Sequence, residues 1–323
     1  MNGSGGISSA TRERILRIAR KLRYTPHGAA RSLIMRRTHT VGVLLPDMHG
    51  EFFSDLIRGI DRAARARGLH LLVSSSHGDA AEAATALRAM HGRVDGLLVM
   101  SPHADAEFLE ANLPHGVPLV LMNTRASGLE HPVLTLDNFG GSLAMMKHLI
   151  GRGHRRIATI AGPASNFDAM ERLRGYREAL AQLLPGAEES VLQGDFTEES
   201  GWRVGKQIVA LVERPTAVFA ANDMMAIGCL FALNESGVSV PRDVAVAGYD
   251  DIPIARYVTP PLTSVRVRIA EMGELALARL ALGIEDPEKI TATEQVLRTE
   301  LVVRGSCGRS QPGLTAVGTS PKI

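Results

Sequence analysis

Val41-Gly42-Val43-Leu44-Leu45 opens a pattern that decides the fold. After it come an amphipathic stretch over about 53–67, the run Leu69-His70-Leu71-Leu72-Val73, a helical stretch over 80–92, and Gly96-Leu97-Leu98-Val99-Met100. Short, continuous apolar runs suit strands buried on both faces. Helical periodicity between them supplies the crossovers of a parallel sheet. A helix near 105–112, Leu119-Val120-Leu121-Met122, Val133-Leu134-Thr135-Leu136 and a long helix over about 140–152 extend the series. It then restarts at Ile157-Ala158-Thr159-Ile160, with helices predicted over 171–184, 200–213 and 224–235. Strands are predicted at Ser190-Val191-Leu192, Ala217-Val218-Phe219-Ala220 and Val244-Ala245-Val246-Ala247. The expected fold class is α/β, with two doubly wound parallel-sheet subdomains.

Open sheets of this kind bind ligands beyond the carboxyl ends of their strands, and two such sheets face to face enclose one cleft. The candidate loops are 46–53, Ser101, Asn123, Asp137-Asn138, 162–172, Asp195-Phe196, Asn222-Asp223 and Asp250-Asp251.

The 323 residues are 45% hydrophobic and 22% charged, ordinary for a globular chain with a sizeable core. No run approaches the roughly 18–20 apolar residues of a membrane span, and the start lacks the apolar region of a secretory signal. Cys229 and Cys307 stand apart, which argues against a disulfide framework or a zinc site and fits a reducing cytoplasm. The eleven histidines are scattered, so no metal is expected. No cofactor is expected either: no GxGxxG follows a strand, and P-loop and GxSxG motifs are absent, so nothing points to a catalytic residue.

The net charge of +2 conceals an asymmetry. Residues 1–37 hold nine basic side chains against Glu13, whereas the remainder holds 27 basic and 33 acidic residues. A basic arm on an acidic body points to a polyanion partner, a solvated helix face being the alternative. Ser8 and Ser9 can cap a helix bearing Ile15, Ile18, Ala19 and Leu22 on one face, and Pro26 ends it. A short helical candidate from His27 to Met35 would order only against DNA or a partner copy. The tail over 309–323, rich in Gly, Ser, Thr and Pro, reads as disordered.

Several segments in this order resemble the LacI/GalR family of bacterial transcription regulators. They are Tyr24-Thr25-Pro26 with Ala30-Arg31-Ser32-Leu33; Val41-Gly42-Val43-Leu44-Leu45-Pro46-Asp47 with Phe52-Phe53; Gly153-His154-Arg155-Arg156-Ile157; and Arg172-Leu173-Arg174-Gly175-Tyr176. Phe219-Ala220-Ala221-Asn222-Asp223, and Gly248-Tyr249-Asp250-Asp251 with Thr259-Pro260-Pro261-Leu262-Thr263, complete the set. The resemblance implies a periplasmic-binding-protein-like core behind an all-α DNA-binding headpiece. Met1-Asn2-Gly3-Ser4 resembles the residues just after the family's recognition helix. Residues 1–24 therefore read as a headpiece remnant without its first two helices, and a start set too late is the favoured explanation. Residues 25–38 read as the hinge. The core spans 39–308, with one subdomain at about 39–138 and 265–295 and the other at about 139–264 and 296–308.

By that resemblance Leu33 would wedge into the minor groove of operator DNA, with Ala30 beside it and Arg31, Arg36 and Arg37 near phosphates. Arg172 and Asp250 would contact a small-molecule effector, a sugar or sugar derivative, since a guanidinium donates to hydroxyls and a carboxylate accepts from them. Asn123 and Asn222 could match further hydroxyls, and Phe53 and Phe196 could cover a sugar ring. Asn166 and Asp168, on the loop before Arg172, and Ser101 complete the candidate site. A structural salt bridge for Arg172 and Asp250, and core packing for the two phenylalanines, remain the alternatives. The implied protein is a cytoplasmic homodimeric repressor of a carbohydrate operon, with no membrane partner. A sugar-binding protein of the same core fold is the competing reading.

Overall fold

The computed structural model describes residues 8–21, 37–103, 106–113, 116–124 and 131–308. Within it, β1 (Thr40–Leu45) lies between β2 (His70–Ser75) and β3 (Gly96–Met100). Val41, Val43, Leu44 and Leu45 are at most 1% exposed, as a central parallel strand covered on both faces requires. β4 (Leu119–Met122), β5 (Val133–Leu136) and β11 (Glu294–Leu297) complete a first sheet of order β11-β5-β4-β3-β1-β2, parallel throughout. Its helices are α2 (Glu51–Arg65), α3 (Ala80–Met90), α4 (Ala106–Asn112) and α9 (Ile269–Glu285).

The second sheet repeats the plan. β6 (Ile157–Ala161), β7 (Ser190–Gln193), β8 (Ala217–Ala220), β9 (Ala245–Asp250), β10 (Thr263–Arg266) and β12 (Glu300–Val302) lie in the order β12-β10-β9-β8-β6-β7. Only β12 runs antiparallel, against β10. Its helices are α5 (Asn138–Gly151), α6 (Phe167–Leu183), α7 (Glu198–Ala210) and α8 (Asp223–Glu235). The chain passes between the two lobes three times, after β5, after β10 and after β11. The last two passages fall about two residues later than the sequence suggests, because β10 runs to Arg266 and β11 to Leu297.

Side-chain caps fix where the helices of the second lobe begin. The Asp137 carboxylate accepts from the Gly140 amide at 2.8 Å, Asn166 from Ala169 at 3.0 Å and Asn222 from Met225 at 3.0 Å. These caps correct the predicted starts. α6 begins at Phe167 rather than 171, so Asp168 and Arg172 stand on its first turns and not on a loop. The close α7–α8 seam relies on two glycines. A Cβ on Gly201 would collide with the Met225 backbone, and one on Gly228 with the Glu198 carbonyl.

Ser8 caps α1 (Ser9–Lys21), accepting from the Thr11 amide at 3.3 Å. Ile15 and Ile18 on this helix are 38% and 47% exposed. Leu22 and the predicted DNA contacts Ala30, Arg31, Leu33 and Arg36 lie outside the described residues, as does the 309–323 tail. Arg37 is described, and its Nη2 donates to the Ile284 carbonyl at the end of α9, 3.1 Å away. Asp95 then clamps the next two residues, accepting from the Thr38 amide at 2.6 Å and the His39 amide at 2.8 Å. No helix among the described residues is long and apolar enough to cross a membrane.

Candidate functional site

A cavity of about 370 Å³ lies where the strand ends of the two lobes face each other. Backbone strain collects there. Six described non-glycine residues have positive φ, and four of them, His77, Asn123, Phe196 and Asp250, line this cavity. Each such residue costs on the order of 1–3 kcal/mol, a cost usually retained where a site needs the side chain aimed one way.

Arg172 forms the floor and is 5% exposed. Its Nε donates to Asn138 Oδ1 at 2.8 Å, its Nη1 to the Ala221 carbonyl at 2.6 Å, and its Nη2 lies 3.3 Å from Asp250 Oδ1. The guanidinium carbon stacks 3.9 Å above the Tyr249 ring centroid. Asn138 also donates to Asp168 Oδ1 at 2.7 Å. One amide at the first passage between lobes thus orients both the cation and a carboxylate of the floor. The Arg172–Asp250 contact has ion-pair distance but not hydrogen-bond alignment, so Asp250 Oδ1 is left without a hydrogen bond. The ligand and salt-bridge readings of this pair are compatible, because the paired groups still border the cavity.

Asn123 supplies the matching group from the first lobe. It is 1% exposed, and neither atom of its side-chain amide has a well-aligned hydrogen bond among the described residues, although the amide lies near enough to the Asp168 carboxyl to help hold that group's value down. A buried amide in that state costs about 1–3 kcal/mol until something satisfies it. Asn222 is different: its carbonyl caps α8, and its nitrogen donates to the Phe196 carbonyl at 2.9 Å. That second bond fixes the Phe196 loop.

Phe53, Asn123, Asn166, Asp168, Arg172, Phe196, Asn222 and Asp250 therefore come together around one cavity. Ser101 does not join them. It is 7% exposed, and its amide donates to Thr124 Oγ1 at 3.3 Å, while its neighbours Met100 and Pro102 do line the space. Sequence reasoning missed His77, His103 and Met224 on the lining. The loop after β2 carries His77, and its turn signal Ser76-His77-Gly78 could have marked it.

The rim is pinned across the lobes. His49 Nε2 pairs with Glu198 Oε2 at 3.0 Å, the Ile254 amide donates to Glu51 Oε2 at 2.9 Å, and the Phe167 amide donates to the Pro102 carbonyl at 3.0 Å. Glu198 and its hydrogen bond raise the His49 value above its ordinary one.

Burial pushes the carboxyls of Asp168 and Asp250 up to about 6 and about 7, with Arg172 opposing the shift. Burial also raises Asp223, which accepts from Ser264 Oγ at 2.6 Å and from the Ile252 amide at 2.9 Å and so braces the Asp250 loop. A carboxyl whose folded value exceeds its unfolded one binds more protons when folded. Its contribution to stability therefore falls as pH rises through the window from about 4 to about 7. The ligand-free protein is expected to lose part of its melting temperature through these groups between about pH 4 and about pH 7. Asp250→Asn should flatten that slope, and a slope identical to wild type would count against the buried charge.

Two lobes of this topology, closing on one polar cleft, define a periplasmic-binding-protein-like domain, and a family model described as "Periplasmic binding protein-like domain" matches residues 146–307. The ribose operon repressor of Haemophilus influenzae is 34% identical over 310 residues, covering 95% of this chain and 92% of that protein. The HTH-type transcriptional regulator CelR of Thermobifida fusca is 36% identical over 314 residues, with the same coverage. The HTH-type transcriptional repressor PurR of Erwinia tasmaniensis is 35% identical over 303 residues, covering 93% and 89%. A solved transcriptional regulator CelR–cellobiose complex superposes with a TM-score of 0.74 at 35% identity, covering 94% of this chain and 93% of that one. The lac repressor dimer bound to operator and the anti-inducer ONPF superposes at 0.83 with 27% identity, covering 95% and 92%. The chain belongs to the LacI/GalR family of transcription regulators.

Proposed function

We propose that this protein is a homodimeric, cytoplasmic repressor whose operator affinity is set by a sugar or sugar derivative held in the inter-lobe cleft. It is read as a binding protein rather than an enzyme. The observation that carries the reading is the buried Asn123 amide of one lobe, lacking a well-aligned hydrogen bond, at the same cavity as Asp168, Arg172 and Asp250 of the other. A hydroxylated ligand satisfying both sides draws the lobes together. It therefore has different affinity for the open and closed forms, as control by a ligand requires. Phe53, Asn123, Asn166, Asp168, Arg172, Phe196, Asn222 and Asp250 form the proposed effector site, and Ala30, Arg31, Leu33, Arg36 and Arg37 the proposed DNA contacts.

The first lobe is placed to pass this movement on. α9 starts at the second passage between lobes, and the carbonyl of Ile284 in its last turn receives Arg37. Asp95 fixes Thr38 and His39 to the same lobe. Displacing the lobe therefore displaces the residues that follow the proposed hinge. The names of the relatives, which include repressors of ribose operons, and the cellobiose-bound neighbour support a sugar operon. Family membership and the basic arm, together with the Asn123 amide, favour this reading over a plain sugar-binding protein.

Phe231 on α8, Ile254 and Tyr257 stand 61%, 42% and 77% exposed, and the Asn234 amide nitrogen ties α8 to the Thr259 carbonyl at 3.3 Å. These exposed apolar side chains mark the proposed dimer face of the second lobe. Phe231→Glu with Tyr257→Glu is expected to give a monomer in sedimentation velocity and to weaken operator binding about tenfold or more, because half-sites are read in pairs. A variant that remains dimeric would move the interface elsewhere. The function itself is tested by fluorescence anisotropy of a labelled fragment from upstream of the chain's own operon, titrated with and without sugars. Binding that a sugar alters supports the reading, and a fragment ignored under all conditions contradicts it.

A further inference from the structure

The charged side chains at the cavity are unbalanced. Asp47, Asp168, Asp195 and Asp250 line it, against the single guanidinium of Arg172 among the described residues. All three Arg172 nitrogens already have protein partners, and one of these is a carboxylate. The three histidines of the lining do little to redress this. His49 is committed to Glu198 at 3.0 Å, and burial lowers the His103 value while its ring pairs with Ser165 at 3.3 Å. Only His77, exposed at the rim, remains.

Helix N-termini would ordinarily reverse this preference, since their free amides and dipoles attract anions. Four helices begin at this cleft: α2, α6, α7 and α8. Every one already carries its own carboxylate in the first turn, respectively Glu51, Asp168, Glu198 with Glu199, and Asp223. Three also have a side-chain cap on a free amide, from Asn166, Thr197 and Asn222. The positive ends are occupied by the chain itself.

The remaining hydrogen-bonding capacity leans the same way. Asn123 offers one acceptor and one donor without a well-aligned protein partner, and Asp250 Oδ1, ion-paired with Arg172 at 3.3 Å, keeps a free lone pair. A ligand suited to them must chiefly donate, which hydroxyl groups do and ionised carboxylates and phosphates do not.

We infer that the cleft is built for an uncharged polyol and rejects the acid and phosphate forms of the same sugar. This rests on the sugar-effector reading above and narrows it, since that reading leaves sugar acids and sugar phosphates open. The test is calorimetry on the full chain at about pH 8, above the values of Asp168 and Asp250 so that both are ionised, with neutral pentoses, hexoses and β-linked disaccharides, each matched with its phosphate or uronic acid. At least one neutral sugar is expected to bind, and its anionic counterpart to bind about 30-fold more weakly or worse, from like-charge apposition at a desolvated site. The gap should narrow in Asp195→Asn, which removes one negative charge from the lining. An anionic member binding as tightly as its neutral partner, or tighter, would overturn the inference and leave the regulator reading standing. Silence from every compound would remove the sugar reading, and this inference with it.

Discussion

Replacing Arg172 with alanine is expected to weaken effector binding by about a hundredfold or more and to lower the melting temperature by roughly 10 °C. Removing one member of a buried, hydrogen-bonded charge pair costs about 3–5 kcal/mol, because the partner stays behind uncompensated. Here two carboxylates are abandoned, Asp168 and Asp250, together with the Ala221 carbonyl and the Asn138 amide oxygen. For a domain of this size 1 kcal/mol corresponds to about 2–4 °C. Arg172→Lys separates charge from geometry. It restores the cation but cannot reach three partners or stack on Tyr249, so stability should recover more than affinity. Calorimetry and thermal melting check both. An alanine variant that titrates effector like wild type would remove Arg172 from the site.

Gly228→Val is expected to be the most damaging change away from the cleft, with soluble yield falling and melting lowered by 10 °C or more, as an order-of-magnitude figure. Overpacking is cheap when a flexible side chain can yield. At Gly228 the obstacle is the Glu198 carbonyl and the Trp202 amide, backbone within α7 that cannot move without opening the seam. Opening it would also shift Thr197 and Asn222, both on the cavity wall. Circular dichroism melts of Gly228→Ala and Gly228→Val should rank in order of size. Two variants as stable as wild type would mean that the helices sit further apart than described.

The regular parts of the fold were legible because their signals are local. Val41 to Leu45 reads as a buried strand from its composition alone, and so do Gly96 to Met100 and Ala217 to Ala220. The later elements were missed for an identifiable reason. β11 and β12 are four and three residues long, and β12 pairs antiparallel, so neither carries enough periodicity to announce itself. α9 is the more instructive omission, since Ile269, Met272, Ala276, Leu277 and Leu280 are buried at helical spacing. The resemblance already returned 265–295 to the first lobe, but the apolar spacing inside that segment was not read as a helix.

At the site, residue types and loops were readable, but pairing was not. Arg172, Asp250 and Asn123 could be placed near strand ends by topology. That Asn138 bridges Arg172 and Asp168 depends on a contact across about thirty residues, and no spacing rule encodes it. The end of β3 at Met100 was read correctly, but the following turn sends the Ser101 amide to Thr124 and not to the cavity. Asp168 reads as a loop residue unless Asn166 is taken as the cap of α6, a signal present in the sequence.

A repressor of this kind requires coupling between the cleft and DNA. The most direct measurement is effector affinity by calorimetry, with the full chain free and then saturated with a promoter fragment from its own operon. Linkage requires the two values to differ, by about 5-fold to 150-fold for coupling of ordinary strength. A weaker effector affinity on DNA is the predicted result for a repressor released by its ligand. Equal affinities, with both the sugar and the fragment bound, would show that the cleft and the DNA-binding arm do not communicate.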